Sequence, residues 1–232
     1  MNQPKTFILA GASSAIAKQT AIFLKEKGYQ IIGISTKPKD FDYDEFYEVP
    51  SYDFGSFPSI EKPIDGLVYF PGTINLKPFA RLTAAEFNND LAINSLGAVA
   101  FVQAYLVNLK KAENASIVFI SSVAASTGLP FHSSIAMAKG AIEGLTKALS
   151  AELAPNIRVN CVAPSLVNTP LGSKFISTPE KIDAMQKRNP LRKIGEPTDI
   201  ANAIVFLLLE QSAWVTGQVL AVDGGMNTIK NG

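Results

Sequence analysis

Short apolar runs alternate along the chain with longer stretches in which apolar residues recur every three or four positions. "TFILAG" (6–11), "YQIIGIS" (29–35), "DGLVYFPG" (65–72), "ASIVFISS" (115–122), "IRVNCVAP" (157–164) and "QVLAVDGG" (218–225) read as strands. "AIAKQTAIFLKEKG" (15–28), the long run 83–112, "SSIAMAKGAIEGLTKALSAELA" (133–154) and "EPTDIANAIVFLLL" (196–209) carry the helical period. Thr83 and Glu86 stand at capping-box spacing, and Pro197 sits near a helix start. A polar, aromatic stretch at 36–62 shows little periodicity, and 165–194 reads as irregular.

Strands that are apolar throughout, each followed by a helix, predict a parallel sheet covered on both faces. With about seven strand candidates, the expected architecture is a doubly wound, mostly parallel seven-stranded α/β sheet of the Rossmann type. No repeat or linker divides it, so residues 1–232 form one domain.

Composition narrows the function. The net charge is +1 and no basic block stands out, which gives no electrostatic support for nucleic acid or an anionic membrane surface. No apolar run reaches the roughly 18 residues of a membrane span; "AVAFVQAYLV" comes nearest, and Gln103 interrupts it. Cys161 is the only cysteine, and the start runs into a strand pattern without a signal-peptide core. A cytoplasmic protein acting on a small molecule is expected. One histidine and one cysteine, with no carboxylate cluster between them, predict no metal site.

Open α/β sheets bind ligands beyond the carboxyl ends of their strands. The first strand runs through "AGASSAIA" (10–17) into a helix, whose free N–H groups suit a pyrophosphate. Only Gly11 remains of the three glycines such a loop usually has; Ala15 and Ala17 occupy the other places. In isolation a plain strand–helix turn is the better reading. Ser13, Ser14 and Ile16 are the other candidate cofactor contacts. After the second strand come Ser35, Thr36 and Lys37, with no carboxylate before Asp40. Hydroxyls and a cation suit a 2′-phosphate, so NADP(H) is favoured over NAD(H), the alternative being that Lys37 is a solvated loop lysine.

"IRVNCVAPSLVNTPL" (157–171), "NPLRKIGEPTDIANAIVFLLL" (189–209) and "TGQVLAVDGGM" (216–226), with the features above, resemble the short-chain dehydrogenase/reductase family, in the branch that includes 3-oxoacyl carrier protein reductases. The resemblance spans almost the whole chain. It implies a catalytic serine at Ser122, the lysine at Lys139 and the active-site asparagine at Asn94. Gly72 is what survives of the family's Asn-Asn-Ala-Gly turn, and Asp53 matches its adenine contact. Pro164, Val167 and Thr169 match the segment that holds the nicotinamide amide, with Ser165 replacing a glycine. By the family mechanism Ser122 would bond the carbonyl oxygen and Lys139 the nicotinamide ribose, while Asn94 would hold a water linking Lys139 to solvent.

The family's proton-donating tyrosine falls on Ile135, which cannot ionise. A general acid contributes about 10²–10⁴-fold. His132 is a candidate replacement: it lies almost two turns before Lys139, at about 3.6 residues per turn, and bacterial enoyl reductases place their tyrosine at this spacing. Its alternative is a surface or capping residue, with Ser133 and Ser134 as helix caps. Residues 171–194 match the family's substrate lid, where Phe175, Ile176, Ile182 and Met185 either line an apolar pocket or belong to a surface helix. "LGAVAFVQAYLV" (96–107) is either core or subunit interface; the family forms homotetramers through helices here, so a homo-oligomer, dimer or tetramer, is expected. Two functions follow: an oxidoreductase acting on a carbonyl, alcohol or enoyl group with a non-standard proton relay, or a dinucleotide-binding sensor or partner subunit without turnover. A weaker third is a scaffold that binds no nucleotide.

Overall fold

The computed structural model describes residues 4–229; the two ends of the expected 1–232 domain lie outside the described residues. Seven strands, β1 (Thr6–Ala10), β2 (Gln30–Ser35), β3 (Glu45–Glu48), β4 (Gly66–Tyr69), β5 (Ala115–Ile120), β6 (Ile157–Pro164) and β7 (Val219–Val222), form one sheet in the order β3-β2-β1-β4-β5-β6-β7. Every pairing is parallel, not merely most of them. The helices are α1 (Ala15–Lys25), α2 (Ala84–Leu91), α3 (Gly97–Leu109), α4 (Ser133–Leu153), α5 (Pro179–Arg188) and α6 (Pro197–Leu208).

Alternation along β1 divides the core in two. Phe7 and Leu9 join Leu24 of α1 and Ile200 and Ile204 of α6. Ile8 and Ala10 face the other way, toward Phe101 and Tyr105 of α3 and Ile142 of α4. Strand order reverses between β1 and β4, and the crevice opens at their carboxyl ends.

β3 lies in the 36–62 stretch that looked aperiodic. It is an edge strand of only four residues, half-exposed, with Glu45 paired to Lys62. Short, charged edge strands resist further pairing and so lack an alternating apolar signature. The same stretch supplies Tyr43, a buried ring over Gly33, where a Cβ would come within 2.8 Å of it. Its phenol donates to Ala12 O at 2.6 Å and braces the β1–α1 loop from below.

The region 83–112 is helical, but not uniformly. Ala92–Leu96 form a π turn in which the Gly97 N–H reaches Ala92 O, five residues back. An α-helix would give that N–H to Ile93 O; here Ile93 O accepts from the Tyr69 phenol at 2.7 Å. Gly97 is required at this spot, since a Cβ would lie 2.1 Å from the phenol oxygen. Taken together, Ala84–Leu109 is long and apolar enough to cross a membrane by length and composition, a length concealed in the sequence by its polar interruptions. Half of its most apolar window is buried, and Phe101, Tyr105 and Leu109 belong to the core cluster, which is the packing of a core helix.

Residues 165–194 are not wholly irregular: α5 lies within them, capped by Thr178. In β6 the one charged residue, Arg158, has a helix-capping task. Its guanidinium donates to Leu207 O, Leu208 O and Leu209 O, the orphan carbonyls at the end of α6.

Replacing Tyr69 by Phe strands Ile93 O. Unfolding in urea should lose about 1–3 kcal/mol with an unchanged denaturant slope; an unaltered midpoint would show that water serves the π turn equally well.

Candidate functional site

A cleft of about 1050 Å³ runs along the carboxyl ends of the strands. At one end lies the β1–α1 loop. Gly11 adopts a left-handed conformation (φ +77°), and a Cβ there would meet Pro71 Cδ at 2.9 Å. Ser14 caps α1, its Oγ accepting the Ala17 N–H at 3.0 Å, while Ser13, Ser14, Ala15 and Ile16 line the cleft. The methyl of Ala17 is buried in the protein and does not face the cleft. With one glycine retained and Tyr43 fixing the loop from below, the turn keeps a helix N-terminus open to an anion.

Thr36, Lys37, Tyr52 and Asp53 line the wall next to it. Ser35 does not: it is fully buried, and its Oγ accepts the Lys37 N–H at 3.0 Å, so it shapes the turn and leaves Thr36 and Lys37 to face a ligand. Asp40 is taken by Lys18 at 2.6 Å. Lys37 enters none of the ion pairs among the described residues.

The opposite end gathers Ser122, Ile135, Lys139 and His132. Ser122 lies two residues beyond the end of β5, its Oγ accepting the Ala124 N–H at 3.2 Å, so the hydroxyl proton remains available to a ligand oxygen. Lys139 is buried on α4 and donates to Ile120 O at 2.8 Å. Burial holds its pKa down to about 8, from an ordinary 10.5. Ile135, one turn earlier, is 4% exposed and forms wall, with no tyrosine among the residues beside it; the lining tyrosine, Tyr52, lies by Thr36, whose N–H it accepts at 3.3 Å.

His132 occupies the N-cap position of α4 but makes no side-chain cap. Ser133 and Ser134 are inside the helix and are not its caps; Ser134 Oγ is buried without a partner. His132 Nδ1 lies 2.7 Å from Pro130 O. A carbonyl only accepts, so Nδ1 carries the proton and Nε2 is the other ring nitrogen. The preceding Phe131 sits at φ +68°, a strained conformation for a bulky residue, with its carbonyl held by the Lys77 N–H at 3.0 Å.

Asn94 is 1% exposed and stands behind the cleft wall, not in it. It lies in the π turn, and its amide donates to Thr73 Oγ1 and Asp90 O, both at 2.8 Å. Gly72 connects it to the cleft: a Cβ there would lie 3.0 Å from Asn94 Oδ1 and 3.3 Å from Lys139 Nζ. Pro164, Val167 and Thr169 line the same end. Their segment is pinned by Gly195, which accepts the Asn168 N–H at 2.8 Å, and by Ser165, which donates to Asp223 O at 3.1 Å. Of the lid candidates, Phe175 and Met185 line the cleft, whereas Ile176 and Ile182 line a separate groove; Ile182 and Met185 lie on α5, and Ile176 precedes it. Lys174 reaches Ile74 O at 3.1 Å across the opening.

Sequence reasoning missed Thr73, Asp90 and Tyr43. A signal existed for Asp90: it precedes Asn94 by four residues on a helix, beside apolar Leu91, Ala92 and Ile93. No group of three His, Cys, Asp or Glu side chains that could hold a metal occurs among the described residues.

A doubly wound parallel sheet with a glycine turn leading into a helix start, and Ser122 and Lys139 lining the same cleft, fit a dinucleotide-dependent oxidoreductase. Residues 58–227 match the family model described as enoyl-(acyl carrier protein) reductase. The chain is 33% identical to L-xylulose reductase of Mus musculus, with 94% of each chain covered. Among solved structures it superposes on the aldohexose dehydrogenase of Thermoplasma acidophilum with a TM-score of 0.87 at 26% identity, covering 99% of this chain and 98% of that one. It also superposes on ElxO with NADP bound, and on a tyrosine-to-phenylalanine ElxO variant with NADPH bound; the TM-scores are 0.84 and 0.85, each at 26% identity over 97% of this chain and 99% of that one. The chain therefore belongs to the short-chain dehydrogenase/reductase family of NAD(P)-dependent oxidoreductases. The reading of a binding protein without turnover finds no support in these relatives.

The depressed Lys139 pKa has a stability consequence. Between pH 8 and 10.5 the unfolded chain keeps this proton and the folded chain has lost it, so folding gains stability as pH rises through that window. Compared with Lys139→Met, the wild type should gain in urea midpoint between about pH 7 and about pH 10. A difference constant across that range would contradict the buried, weakly protonated lysine.

Proposed function

We propose that the chain is an NADP(H)-dependent carbonyl reductase in which His132 replaces the phenolic proton donor. The observation that carries this reading is that Ser122, Lys139 and His132 line one end of a cleft whose other end is lined by Lys37. When bound, the nicotinamide supplies a hydride to the carbonyl carbon. Gly11, Ser13, Ser14 and Ile16 would hold its pyrophosphate, Thr36 and Lys37 the 2′-phosphate, and Asp53 the adenine. Pro164, Val167 and Thr169 would orient the nicotinamide amide, and Lys139 would hold the ribose.

Ser122 donates its free hydroxyl proton to the carbonyl oxygen and stabilises the charge that develops there. Protonated His132 then gives its Nε2 proton to that oxygen. The neutral ring left behind carries its proton on Nδ1, the tautomer that Pro130 O holds in place. Asn94, behind Gly72, serves Lys139 without touching the substrate. Ile74, Leu76, Ile135, Phe175, Met185 and Met226 line this end, which favours a carbonyl on an apolar body over a polyhydroxylated sugar. The exposed Trp214, Phe206 and Leu220 around α6 and β7, and Val107 and Leu96 on and beside α3, support a homo-oligomer, dimer or tetramer.

Stopped-flow oxidation of NADPH against apolar ketones, aldehydes and enoyl thioesters tests the activity. Turnover of a ketone or aldehyde is expected; oxidation no faster than the spontaneous rate for every class would overturn the reading. His132→Ala should lower kcat by about 10²–10⁴-fold, and an unchanged rate would remove His132 from the relay. Lys37→Glu should weaken NADPH binding by roughly ten- to a hundredfold while leaving NADH nearly unaffected. Equal effects on both nucleotides would show that Lys37 does not read the 2′-phosphate.

A further inference from the structure

The wall that carries Thr36, Lys37 and Asp53 also carries Tyr52. Its phenol oxygen lies 3.3 Å from the Thr36 backbone nitrogen. A backbone N–H only donates, so at this contact the oxygen accepts. The phenol's own hydrogen is left over. Conjugation with the ring holds that hydrogen in the ring plane, on the side turned away from Thr36. No acceptor among the described residues takes it.

The ring is fixed from several sides. It meets the Tyr69 ring edge-on, with centroids 6.0 Å apart and planes at 80°, and lies 6.3 Å from the Phe57 ring. Gly97 leaves room for the Tyr52 carbonyl, since a Cβ there would stand 3.2 Å from that oxygen. The loop that follows is braced within itself: Ser51 Oγ accepts the Asp53 N–H at 3.3 Å, and the Ser56 N–H reaches Asp53 O at 3.1 Å. A side chain held in this way loses little further freedom on meeting a ligand.

The turn after β2 gives this hydroxyl a use. Tyr52 takes the Thr36 N–H, and Ser35 Oγ takes the Lys37 N–H, so both main-chain donors of the turn are committed. A 2′-phosphate seated here must find its donors on side chains, and a phosphate offers three acceptor oxygens. The Thr36 hydroxyl and the Lys37 ammonium supply donors, and the Tyr52 O–H adds another on the same wall. A ribose 2′-hydroxyl, with one oxygen and a hydrogen of its own, needs no such set.

We infer that Tyr52 is a specificity-determining residue for the phosphorylated cofactor: its oxygen accepts the Thr36 N–H, and its own hydrogen goes to the 2′-phosphate. The inference rests on the reading that this end of the cleft takes a 2′-phosphate. It adds the residue that stands in for the committed main-chain donors of the turn.

Adenosine 2′,5′-bisphosphate and adenosine 5′-monophosphate differ by the 2′-phosphate alone. Neither contains a nicotinamide, so calorimetric titration with these two probes reads the contact without turnover. Wild type should bind the bisphosphate more tightly. Tyr52→Phe should weaken the bisphosphate roughly ten- to a hundredfold and leave the monophosphate within about twofold. The substitution keeps the ring, and the Thr36 N–H it releases is on an exposed residue that water can serve, so the variant should fold. A second measurement needs no variant. In wild type labelled with ¹³C at tyrosine Cζ, the Tyr52 resonance should move further with the bisphosphate than with the monophosphate. If Tyr52→Phe keeps the wild-type preference, or weakens both probes alike, the inference is wrong and the NADP(H) reading stands. Equal movement of the Tyr52 resonance with the two probes also overturns it. A wild type that binds both probes equally overturns the NADP(H) reading and the inference with it.

Discussion

The bond from Lys139 Nζ to Ile120 O is the constraint around which the site is assembled. A buried ammonium needs acceptors, and the carboxyl end of β5 offers one at 2.8 Å. Satisfying it draws α4 against the sheet at the strand ends. Ser121 adds a second tie there, its hydroxyl donating to Glu143 at 2.8 Å. From that anchor the positions of Ser122, one residue on from Ser121, and of His132, at the start of α4, follow. The charge is tolerated but weakened, which is why the pKa falls to about 8. Such a lysine suits a role in which it orients hydroxyl groups rather than forming an ion pair.

The second half of the site comes from the helix that crosses the sheet beside α4. Its π turn releases backbone carbonyls, and each recruited partner has a consequence. Tyr69 takes Ile93 O and locks the end of β4; Asn94 takes Asp90 O and lies back toward Gly72. Ser95 donates to Ala138 O at 2.7 Å and joins the turn to α4 one residue before Lys139. π turns recur at functional sites because one extra residue re-aims a side chain without breaking the helix. Here the re-aimed side chain is an asparagine buried behind a glycine.

Much of this was readable from the chain. The apolar runs of β1, β4, β5 and β6 are buried on both faces and announced themselves, as did the Thr83–Glu86 capping box, which forms with Glu86 held down to about 2 by the Thr83 N–H and Lys77. Gly11, Lys37, Ser122 and Lys139 all line the cleft. The rest depended on geometry that periodicity does not encode. β3 was hidden because an edge strand has no apolar face to repeat, and the bracing roles of Tyr43 and Tyr69 were hidden because their hydroxyl partners are backbone carbonyls. Ser35 fell on the buried side of its strand end, a matter of one residue in a period of two. Asp90 was overlooked despite standing four residues before Asn94 beside apolar Leu91, Ala92 and Ile93, because the packing of α2 against α4 is a tertiary contact that periodicity does not encode.

The central claim is that Lys139, held on Ile120, faces the nicotinamide ribose at an end of the cleft where Ile135 stands in place of a phenol. A crystal structure of the chain with NADP⁺ measures this directly. The account predicts ribose hydroxyls within hydrogen-bond distance of Lys139 Nζ, with the His132 ring and the Ser122 hydroxyl both reaching the space above the nicotinamide. A dinucleotide seated with its ribose away from Lys139, or with Ile135 filling the space between His132 and Ser122, would contradict it.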